Sequence, residues 1–194
     1  MKVEQIKMEQ CQKLATLHLK ALPDTISSKI GHFYLENIYR AITKDKKNNC
    51  TFVALDKEEI IGAIAATSNL KLFQSKVLKE FSAKSYFLLL ISVLTLKASP
   101  LVILKRISFE KKLVKNYEKK YAAITILYVN GSSRRKGVGT NLIKEIIKFY
   151  TNKVDNIYVD TQITNKTAIK LYESLGFKRL KTIEDSILFI LNRN

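Results

Sequence analysis

One stretch, Leu127 to Thr140 (LYVNGSSRRKGVGT), constrains the fold of this chain more than any other. It begins as an apolar run of strand-forming residues, breaks into a glycine-containing loop and leads into an amphipathic segment at Asn141. This order predicts a strand, a turn and the start of a helix. Gly137 and Gly139 carry no Cβ, so the backbone there can approach a ligand closely. Because the first amides of a helix lack intrahelical acceptors and carry partial positive charge, the junction favours phosphate oxygens.

The N-terminal half of the chain is predicted to contribute two helices and three strands. Apolar residues recur at helical spacing from Met8 to Leu22, and Pro23 ends that pattern. A second helix is predicted to open after Asp24 or Thr25, either of which can cap a helix, and to run through Tyr39. Three segments are predicted as strands, the last two forming an antiparallel hairpin: Lys2–Ile6, Thr51–Leu55 and Ile60–Ala66.

The C-terminal half alternates strands with helices. The predicted strands are Ala122–Val129, Asn156–Asp160 and Ile187–Leu191. Helices are predicted at Asn141–Tyr150 and Asn165–Leu175, and Gly176 ends the second of them. Helices in these positions are crossovers, so at least part of the sheet is predicted to be parallel. A right-handed crossover places the loop after Val129 at the carboxyl end of its strand, where α/β folds usually bind ligands.

A second motif makes the glycine loop more specific. The pattern Arg134-x-x-Gly137-x-Gly139 is by itself common before helices. Downstream lies Asn165–Phe177 (NKTAIKLYESLGF), in which Asn165 can cap a helix and a Gly-Phe pair ends it. In this order and at about this spacing, the two segments resemble the GNAT superfamily of acyl-CoA-dependent N-acetyltransferases. The resemblance is close over Ala122–Phe177 and extends to the first strand pair only as a pattern of strands.

The resemblance implies an α+β fold in three layers, with helices flanking a mixed, partly parallel central sheet of about six to seven strands. We expect one domain over residues 1–194, with a helical insertion at about residues 68–121, where a minimal GNAT domain has a short connection. Within the insertion Tyr86–Leu96 carries no charged residue and is apolar apart from Ser92 and Thr95. These 11 residues are too few to cross a bilayer, which needs about 20. We therefore expect a buried helix or an interfacial element, interrupted at Lys97 and Pro100.

The resemblance also implies that acetyl-CoA binds as co-substrate where two parallel strands separate. The backbone of Leu127, Tyr128 and Val129 would pair with the pantetheine arm as an extra strand would. Asn165 would contact the arm from the second helix. The pyrophosphate would be held by the backbone amides of one consecutive run, in which two basic side chains would add attraction. The run is Arg135, Lys136, Gly137, Val138, Gly139 and Thr140.

Acetyl transfer to an amine needs a neutral nucleophile and a proton for the departing thiolate. The motif places the phenol of Tyr172 next to the cofactor sulfur, so Tyr172 is the predicted general acid. In ribosomal-protein alanine acetyltransferases, a branch that the chain resembles locally, a carboxylate on the strand before the asparagine helix activates the amine. The matching residue is Asp160, which is shorter than the usual Glu and could act through a water. Three other candidates for the base remain open: Glu36, Tyr34 and Tyr128.

The net charge of +17 is concentrated in the insertion, since Ser68–Tyr121 holds 12 Lys/Arg and 3 Asp/Glu and so carries +9. Such charge favours polyanions, anionic membrane surfaces or phosphorylated small molecules, although a lysine-rich surface alone would produce it. The insertion could complete the core as a helical layer, seat an anionic acceptor, contact a membrane peripherally or form a homodimer. We expect no specific nucleic acid, because no recognition helix or aromatic-basic stacking surface is evident.

The predicted function is direct transfer of an acetyl group from acetyl-CoA to a primary amine, with a small molecule such as a nucleotide-linked amino sugar preferred as the acceptor. The first alternative is acetylation of a protein N-terminus or lysine. An alternative from another class is a basic nucleic-acid-binding protein. Cys11, Cys50, His18 and His32 do not have metal-ligand spacing, so no metal is expected. A cytoplasmic location is expected because the N-terminus lacks a secretory signal pattern.

Overall fold

The computed structural model of the protein describes residues 1–95, 108–117 and 120–193. Within these residues, seven strands form one mixed sheet in the order β1-β2-β3-β4-β5-β7-β6. The strands are β1 (Lys2–Gln5), β2 (Asn49–Asp56), β3 (Glu59–Thr67), β4 (Tyr121–Val129), β5 (Asn156–Gln162), β6 (Lys178–Ile183) and β7 (Ser186–Asn192). This sheet confirms the predicted α+β fold.

Eight helices in the described part of the chain flank the sheet. They are α1 (Cys11–Ala21), α2 (Ile26–Ile30), α3 (His32–Lys44), α4 (Leu70–Lys79), α5 (Ala83–Leu94), α6 (residues 108–114), α7 (Val138–Phe149) and α8 (Lys166–Ser174). Short 3-10 turns precede α1 and α7. Within the described ranges, no helix is both long enough and apolar enough to cross a membrane.

Strand direction alternates across the sheet except at one pair in its middle. Strands β4 and β5 are parallel, and every other neighbouring pair is antiparallel. Helix α7 makes the predicted crossover between β4 and β5. Helix α8 also connects strands of the same direction, β5 and β6, but β7 lies between them. The predicted partly parallel sheet is therefore confirmed, with one parallel pair.

Helices bury apolar side chains on both faces of the sheet. On one face α7 contributes Leu142, Ile143 and Ile146, and α8 contributes Ile169. On the other face α1, α3 and α4 pack over β2, β3 and β4, while α6 packs over β5, β6 and β7. Each fully buried large aliphatic side chain contributes about 1.5–3 kcal/mol through removal from water. The result is the predicted three-layer arrangement.

The insertion at residues 68–121 is helical where the structure describes it, as predicted. Phe73 and Val77 of α4 are buried beside α1 and α3, and Phe109 and Leu113 of α6 are buried against the sheet. Helices α4 and α6 therefore complete the core, as one of the predictions for the insertion has it.

Of the two alternatives predicted for Tyr86–Leu96, a buried helix or an interfacial element, helix α5 does not fit the buried helix. Phe87 and Leu94 are 61% and 71% exposed, so this helix carries an apolar surface into solvent. The predicted interruption at Lys97 and Pro100 lies outside the described residues.

Two predicted helix boundaries are wrong, each because of a glycine. The helix predicted to run without a break from Thr25 to Tyr39 is divided into α2 and α3 at Gly31, which has a φ of 125°. Thr25 is the N-cap of α2, and its side-chain oxygen accepts from the Ser28 amide at 3.3 Å. Helix α7 begins at Val138 rather than at Asn141, because Gly137 (φ 76°) is its N-cap.

Strand β6, Lys178–Ile183, was not among the predicted strands. Its residues are exposed except for Ile183, so the segment shows no alternation of buried and exposed positions. A register shift between Arg179 and Lys181 interrupts its pairing with β7. The apolar pattern that reveals a strand is therefore missing from this edge of the sheet.

Candidate active site

The centre of the candidate site is an opening between the two parallel strands. Strands β4 and β5 pair only from Tyr121 opposite Asn156 to Ile124 opposite Val159. Beyond this point β4 continues along β3, and β5 continues along β7 to Gln162. The carboxyl halves of the two central strands therefore separate, as the resemblance implied for the binding of acetyl-CoA.

A β-bulge in β4 accompanies this separation. Ala65 pairs with Ile126 and Ala66 pairs with Ile124, so Thr125 is an extra residue on β4. Its hydroxyl donates to the Ala65 carbonyl at 3.4 Å. A bulge bends its strand and increases the local twist, which turns the end of β4 away from β5. No residue pattern in β4 predicts this extra residue.

Backbone groups of alternate residues on β4 face the opening. Asn130, just beyond the strand, donates its N–H to the Ile61 carbonyl at 2.8 Å. Because backbone groups alternate in direction along a strand, Tyr128 also directs its N–H and C=O toward β3. Leu127 and Val129 direct theirs toward the opening. Of the three predicted strand residues, these two therefore present backbone groups suited to an amide-containing pantetheine chain.

The loop before α7 orients its backbone amides outward. Arg135 and Gly137 have φ values of 61° and 76°, which turn the chain sharply before the helix. The first helical bond runs from the Asn141 amide to the Gly137 carbonyl at 3.0 Å. The amides of Val138, Gly139 and Thr140 precede it and so lack acceptors within the helix. This start of α7 fits the predicted pyrophosphate site.

The two glycines of the motif have different structural roles. A Cβ on Gly137 would meet no atom within 4 Å, so this position is open and requires glycine for its positive φ. A Cβ on Gly139 would lie 3.1 Å from Leu171 Cδ2 on α8. The prediction that both glycines allow close approach of a ligand therefore fits Gly137, whereas Gly139 allows α7 to pack closely against α8.

Basic side chains surround the predicted pyrophosphate site. Arg135 and Lys136 are exposed on the loop before α7. Arg134 bends back, and its Nε donates to the Val129 carbonyl at 3.2 Å. That carbonyl faces the opening, so Arg134 occupies one of the acceptors on the edge of β4. The loop and the strand edge are thereby linked at the place where the pantetheine and pyrophosphate portions of a cofactor would meet.

Tyr172 is buried on α8, with its ring 5.8 Å from Phe177 and 5.6 Å from Phe189. Burial raises the pKa of its phenol, and the negative charge of Asp160 raises it further. Both effects keep the phenol protonated at neutral pH, which is the form that a general acid needs.

The electrostatic effect also shows that Asp160 and Tyr172 are near each other. Tyr172 belongs to the α7–α8 face of the sheet, whereas Tyr158 packs with α6 on the opposite face. Because side chains alternate along a strand, Asp160 is on the same face as Tyr158. The predicted acid and base therefore lie on opposite faces of the sheet, beside the opening where β4 and β5 separate.

Asn165 is the N-cap of α8, as predicted. Its side-chain oxygen accepts from the Ala168 amide at 3.1 Å. The oxygen therefore stabilises the first turn of the helix, and any hydrogen bond that Asn165 donates to a cofactor would come from its NH2 group.

The other candidate bases make contacts of their own. The Glu36 carboxylate accepts from Arg40 at 2.8 Å, and the ring of Tyr34 packs edge-on against Phe81. The hydroxyl of Tyr128 points to α1 and is 3.4 Å from the carbonyl oxygen of Leu14. The charge that raises the pKa of Tyr172 is that of Asp160 and not of any of these three residues.

A buried histidine beneath β4 was missed by sequence reasoning, which considered it only as a metal ligand. His18 Nδ1 is 2.9 Å from the Tyr39 hydroxyl, and its ring lies 5.6 Å from that of Tyr128. Burial lowers the pKa of His18 to about 4. The position of His18 four residues after Leu14 on the apolar face of α1 was the signal that could have revealed it.

Comparison with known proteins connects this geometry to a family. A model of the Acetyltransferase (GNAT) family matches residues 14–177. N-alpha-acetyltransferase 30 of Xenopus laevis is 46% identical over 61 residues, which are 31% of this chain and 22% of that protein. N-alpha-acetyltransferase 30 of Dictyostelium discoideum is 36% identical over 83 residues, which are 42% of each chain. The chain thus covers less than half the length of these relatives.

Solved structures share the fold over nearly the whole chain. Arabidopsis thaliana NAA60 in complex with acetyl-CoA has a TM-score of 0.61 and 18% identity, covering 98% of this chain and 97% of that one. The ribosomal-protein-S18-alanine N-acetyltransferase of Escherichia coli has a TM-score of 0.58 and 12% identity, covering 98% and 92%. The family match confirms the predicted resemblance to GNAT acetyltransferases. The chain belongs to the GNAT acetyltransferase family.

Proposed function

We propose that the protein transfers an acetyl group from acetyl-CoA to the α-amine at the N-terminus of a protein or peptide. The observation that carries this choice of acceptor is the 46% identity over 61 residues with an N-alpha-acetyltransferase. The relatives thus favour the N-terminal alternative over the small-molecule acceptor that the sequence analysis preferred.

The structure also weakens the argument for a small acceptor. A small acceptor would be favoured over a peptide if the insertion closed an open acceptor groove. The buried residues of α4 and α6 are instead used in packing against α1, α3 and the sheet. In the described residues, these two helices therefore thicken one layer of the fold. Their packing is compatible with a peptide acceptor.

The binding of acetyl-CoA in this proposal uses mainly backbone groups. Leu127 and Val129 offer the strand edge to the pantetheine arm, and the amides of Val138, Gly139 and Thr140 offer donors to the pyrophosphate. Arg135 and Lys136 add positive charge beside those donors. The co-substrate supplies the acetyl group as a thioester, whose carbonyl carbon is open to attack by an amine.

Two side chains then handle the protons. Asp160, directly or through a water, takes the proton that the ammonium form of the acceptor must lose. When the C–N bond forms and the C–S bond breaks, Tyr172 donates its phenolic proton to the departing thiolate. As the amide forms, its nitrogen loses a second proton, which restores the Tyr172 phenol directly or through solvent. Asp160 releases its proton to solvent, so both groups are ready for the next cycle. Tyr172 acts in the protonated form that its raised pKa maintains at neutral pH.

The pKa of the acceptor amine is compatible with a base that has a short side chain, such as Asp160. An α-amine has a pKa of about 7.7–8.0, whereas a lysine amine has a pKa of about 10.4. A substantial fraction of N-terminal amines is therefore already neutral near pH 7.5, and very little of the lysine amine is. A short carboxylate such as Asp160 needs to assist an N-terminus far less than it would need to assist a lysine.

A competition among acceptors tests this proposal. The protein is incubated with acetyl-CoA and a peptide with a free N-terminus, the same peptide with a blocked N-terminus and an internal lysine, or an amino sugar. Thiol release measures the rate, and fragmentation mass spectrometry locates the acetyl group. We expect the first peptide to react fastest, at its α-amine. Faster turnover of the amino sugar, or acetylation of the lysine instead, would contradict the proposed acceptor.

A further inference from the structure

The outward surface of α5 is apolar. Tyr86, Phe87, Leu90 and Leu94 are each more than half exposed, and Ile91 is 37% exposed. Their spacing places them in one stripe along the helix. We call these five residues the outer face of α5. Single exposed apolar residues are ordinary on protein surfaces, but a continuous stripe on one helix marks an interaction site.

The inward surface of α5 is held by serines. Ser92 is buried and donates to the Ile30 carbonyl at 3.0 Å, which ties α5 to α2. Ser85 is also buried, and its hydroxyl lies 3.5 Å from Asn37 Nδ2 on α3. An ordinary surface helix turns its apolar side to the core and its polar side to water. Helix α5 shows the reverse arrangement at these positions.

The apolar surface continues onto the end of α4. Leu78 is 51% exposed, and its carbonyl accepts from the Tyr86 hydroxyl at 3.4 Å. The Tyr86 ring also contacts that of Phe81 at 5.2 Å between centroids. These contacts hold Tyr86 at the edge of the outer face of α5, next to Leu78.

Lysines border this surface. Lys79 follows Leu78, and Lys84 lies in the first turn of α5; both are exposed. Within residues 68–95 there are four lysines and one acidic residue, Glu80. That carboxylate is paired with Lys44 at 2.7 Å, so it does not offset the two exposed lysines. An apolar stripe with a positive border is the surface chemistry that an anionic lipid bilayer complements.

We propose that the outer face of α5 docks onto an anionic membrane surface, with Phe87 and Leu94 among the acyl chains and Lys79 and Lys84 at the headgroups. The 12 residues of α5 span about 18 Å, so the helix lies in the interface rather than crossing it. Tyr86 has the apolar ring and polar hydroxyl typical of membrane interfaces.

Charge decides against the other occupants of this surface. A second copy of the chain would bring two lysine borders together, each on a protein of net charge +17. A nucleic acid would attract the lysines but leave the apolar stripe in water. The membrane proposal is independent of the acceptor and of acetyl transfer, so its test uses no measurement of activity.

Vesicle binding by the full chain tests the proposal. We expect cosedimentation with vesicles of phosphatidylcholine and phosphatidylserine, and much weaker binding to phosphatidylcholine alone. The pair Phe87→Ser and Leu94→Ser should weaken binding at least tenfold. Lys79→Gln with Lys84→Gln should also weaken it at least tenfold, since each lysine near an anionic surface contributes about fivefold.

Matched control variants lie on β6, an edge strand of the sheet. Leu180 is exposed on β6, and Lys178 and Lys181 are exposed beside it. Leu180→Ser should leave vesicle binding within twofold of the wild type, about the scatter of such an assay. Lys178→Gln with Lys181→Gln removes the same charge as the test pair and should cost less. Equal loss in both lysine pairs would show that net charge alone drives binding, and would overturn the proposal.

A fluorescent probe tests insertion directly, because the chain contains no tryptophan. Phe87→Trp places one on the outer face of α5, and Leu180→Trp is the control. Anionic vesicles should shift the emission of the first to the blue, and brominated lipids should quench it, with neither effect in the control. The emission of Phe87→Trp could instead be blue-shifted before vesicles are added and remain unchanged by them. That result would mean that protein covers this face, and it would overturn the proposal.

Discussion

At the scale of single residues, the proposed chemistry depends on the hydroxyl of Tyr172. Tyr172→Phe keeps the ring that packs against Phe177 and Phe189 and removes only the proton donor. We expect kcat to fall about 10²–10⁴-fold, the usual contribution of general acid catalysis, while the Kd for acetyl-CoA stays unchanged. Steady-state kinetics and calorimetric titration measure the two quantities.

The control for this variant is a buried tyrosine remote from the opening. Tyr150 follows the last turn of α7, and its hydroxyl donates to the Asn48 carbonyl at 2.9 Å. Tyr150→Phe should lower stability by about 1 kcal/mol and leave kcat nearly unchanged. If Tyr172→Phe retained wild-type kcat, the thiolate would have to take its proton from elsewhere.

Asp160 is expected to matter most where the acceptor is protonated. Asp160→Asn removes the base but leaves a side chain of similar size. The activity deficit should be largest near pH 6.5 and should shrink toward pH 9, because an α-amine with a pKa of about 7.7–8.0 then loses its proton without help. The pH profiles of kcat/KM for wild type and variant measure this. A deficit that is the same at every pH would assign Asp160 a structural role.

His18 makes stability depend on pH. Its folded pKa of about 4 lies below its ordinary value of 6.5, so the neutral form is favoured in the folded state. The stabilisation is complete above about pH 6.5 and is lost as pH falls toward 4, by about 3 kcal/mol. Tyr39 and Tyr128 face the ring and are uncharged in this range.

Urea unfolding of His18→Gln between pH 7 and pH 4 tests this contribution. The variant should be less stable at pH 7 but should lose less stability on acidification than the wild type. The matched control is His32→Gln, since His32 is partly exposed and is the only other histidine. An unchanged slope in His18→Gln would mean that other groups cause the acid sensitivity.

At the scale of elements, Gly62 sets how closely α7 approaches the sheet. A Cβ at this position would lie 2.9 Å from the Tyr128 carbonyl oxygen and 3.2 Å from Val138 Cγ1. Gly62→Ala must therefore shift β3, β4 or the start of α7, and should cost about 1–3 kcal/mol. Gly131→Ala is the control, because its Cβ would meet no atom within 4 Å. Thermal unfolding of both variants measures the difference. Equal stability would show that the strands and α7 can shift to accept the Cβ at little cost in stability.

The elements that could be predicted are those with a local signal. The cap at Asn165 and the turn glycine Gly176 (φ 86°) mark the ends of α8, and the structure has both. The break at Gly31 was missed because an isolated glycine is compatible with a continuous helix as well as with a break. Strand β6 was missed because its exposed edge carries no buried face.

At the scale of the whole molecule, long-range pairing was the part that could not be predicted. The parallel pair followed from the strand-helix-strand order. The position of β7 between β5 and β6, however, cannot be inferred from the sequence of any one segment. The bulge at Thr125 likewise depends on the register between β3 and β4. The site residues were found through motifs, whereas the opening that brings them together is a property of the sheet.

The net charge of +17 is also a property of the whole molecule, and it should make stability depend on salt. With 34 basic and 17 acidic residues, repulsion among exposed lysines opposes the compact state. Raising sodium chloride from about 0.01 to 0.1 M shortens the screening length from about 30 to 10 Å, so Tm should rise. At this size a gain of 1 kcal/mol corresponds to about 2–4 °C.

Lowering the net charge should flatten this dependence. Lys178→Glu with Lys181→Glu changes two exposed positions on the edge strand β6 and takes the charge from +17 to +13, since each exchange subtracts two. Calorimetric scans of both proteins across the same salt series should give a smaller slope for the variant. A Tm that falls with salt in the wild type would mean that attractive ion pairs such as Lys76 with Asp45, 2.7 Å apart, outweigh the repulsion.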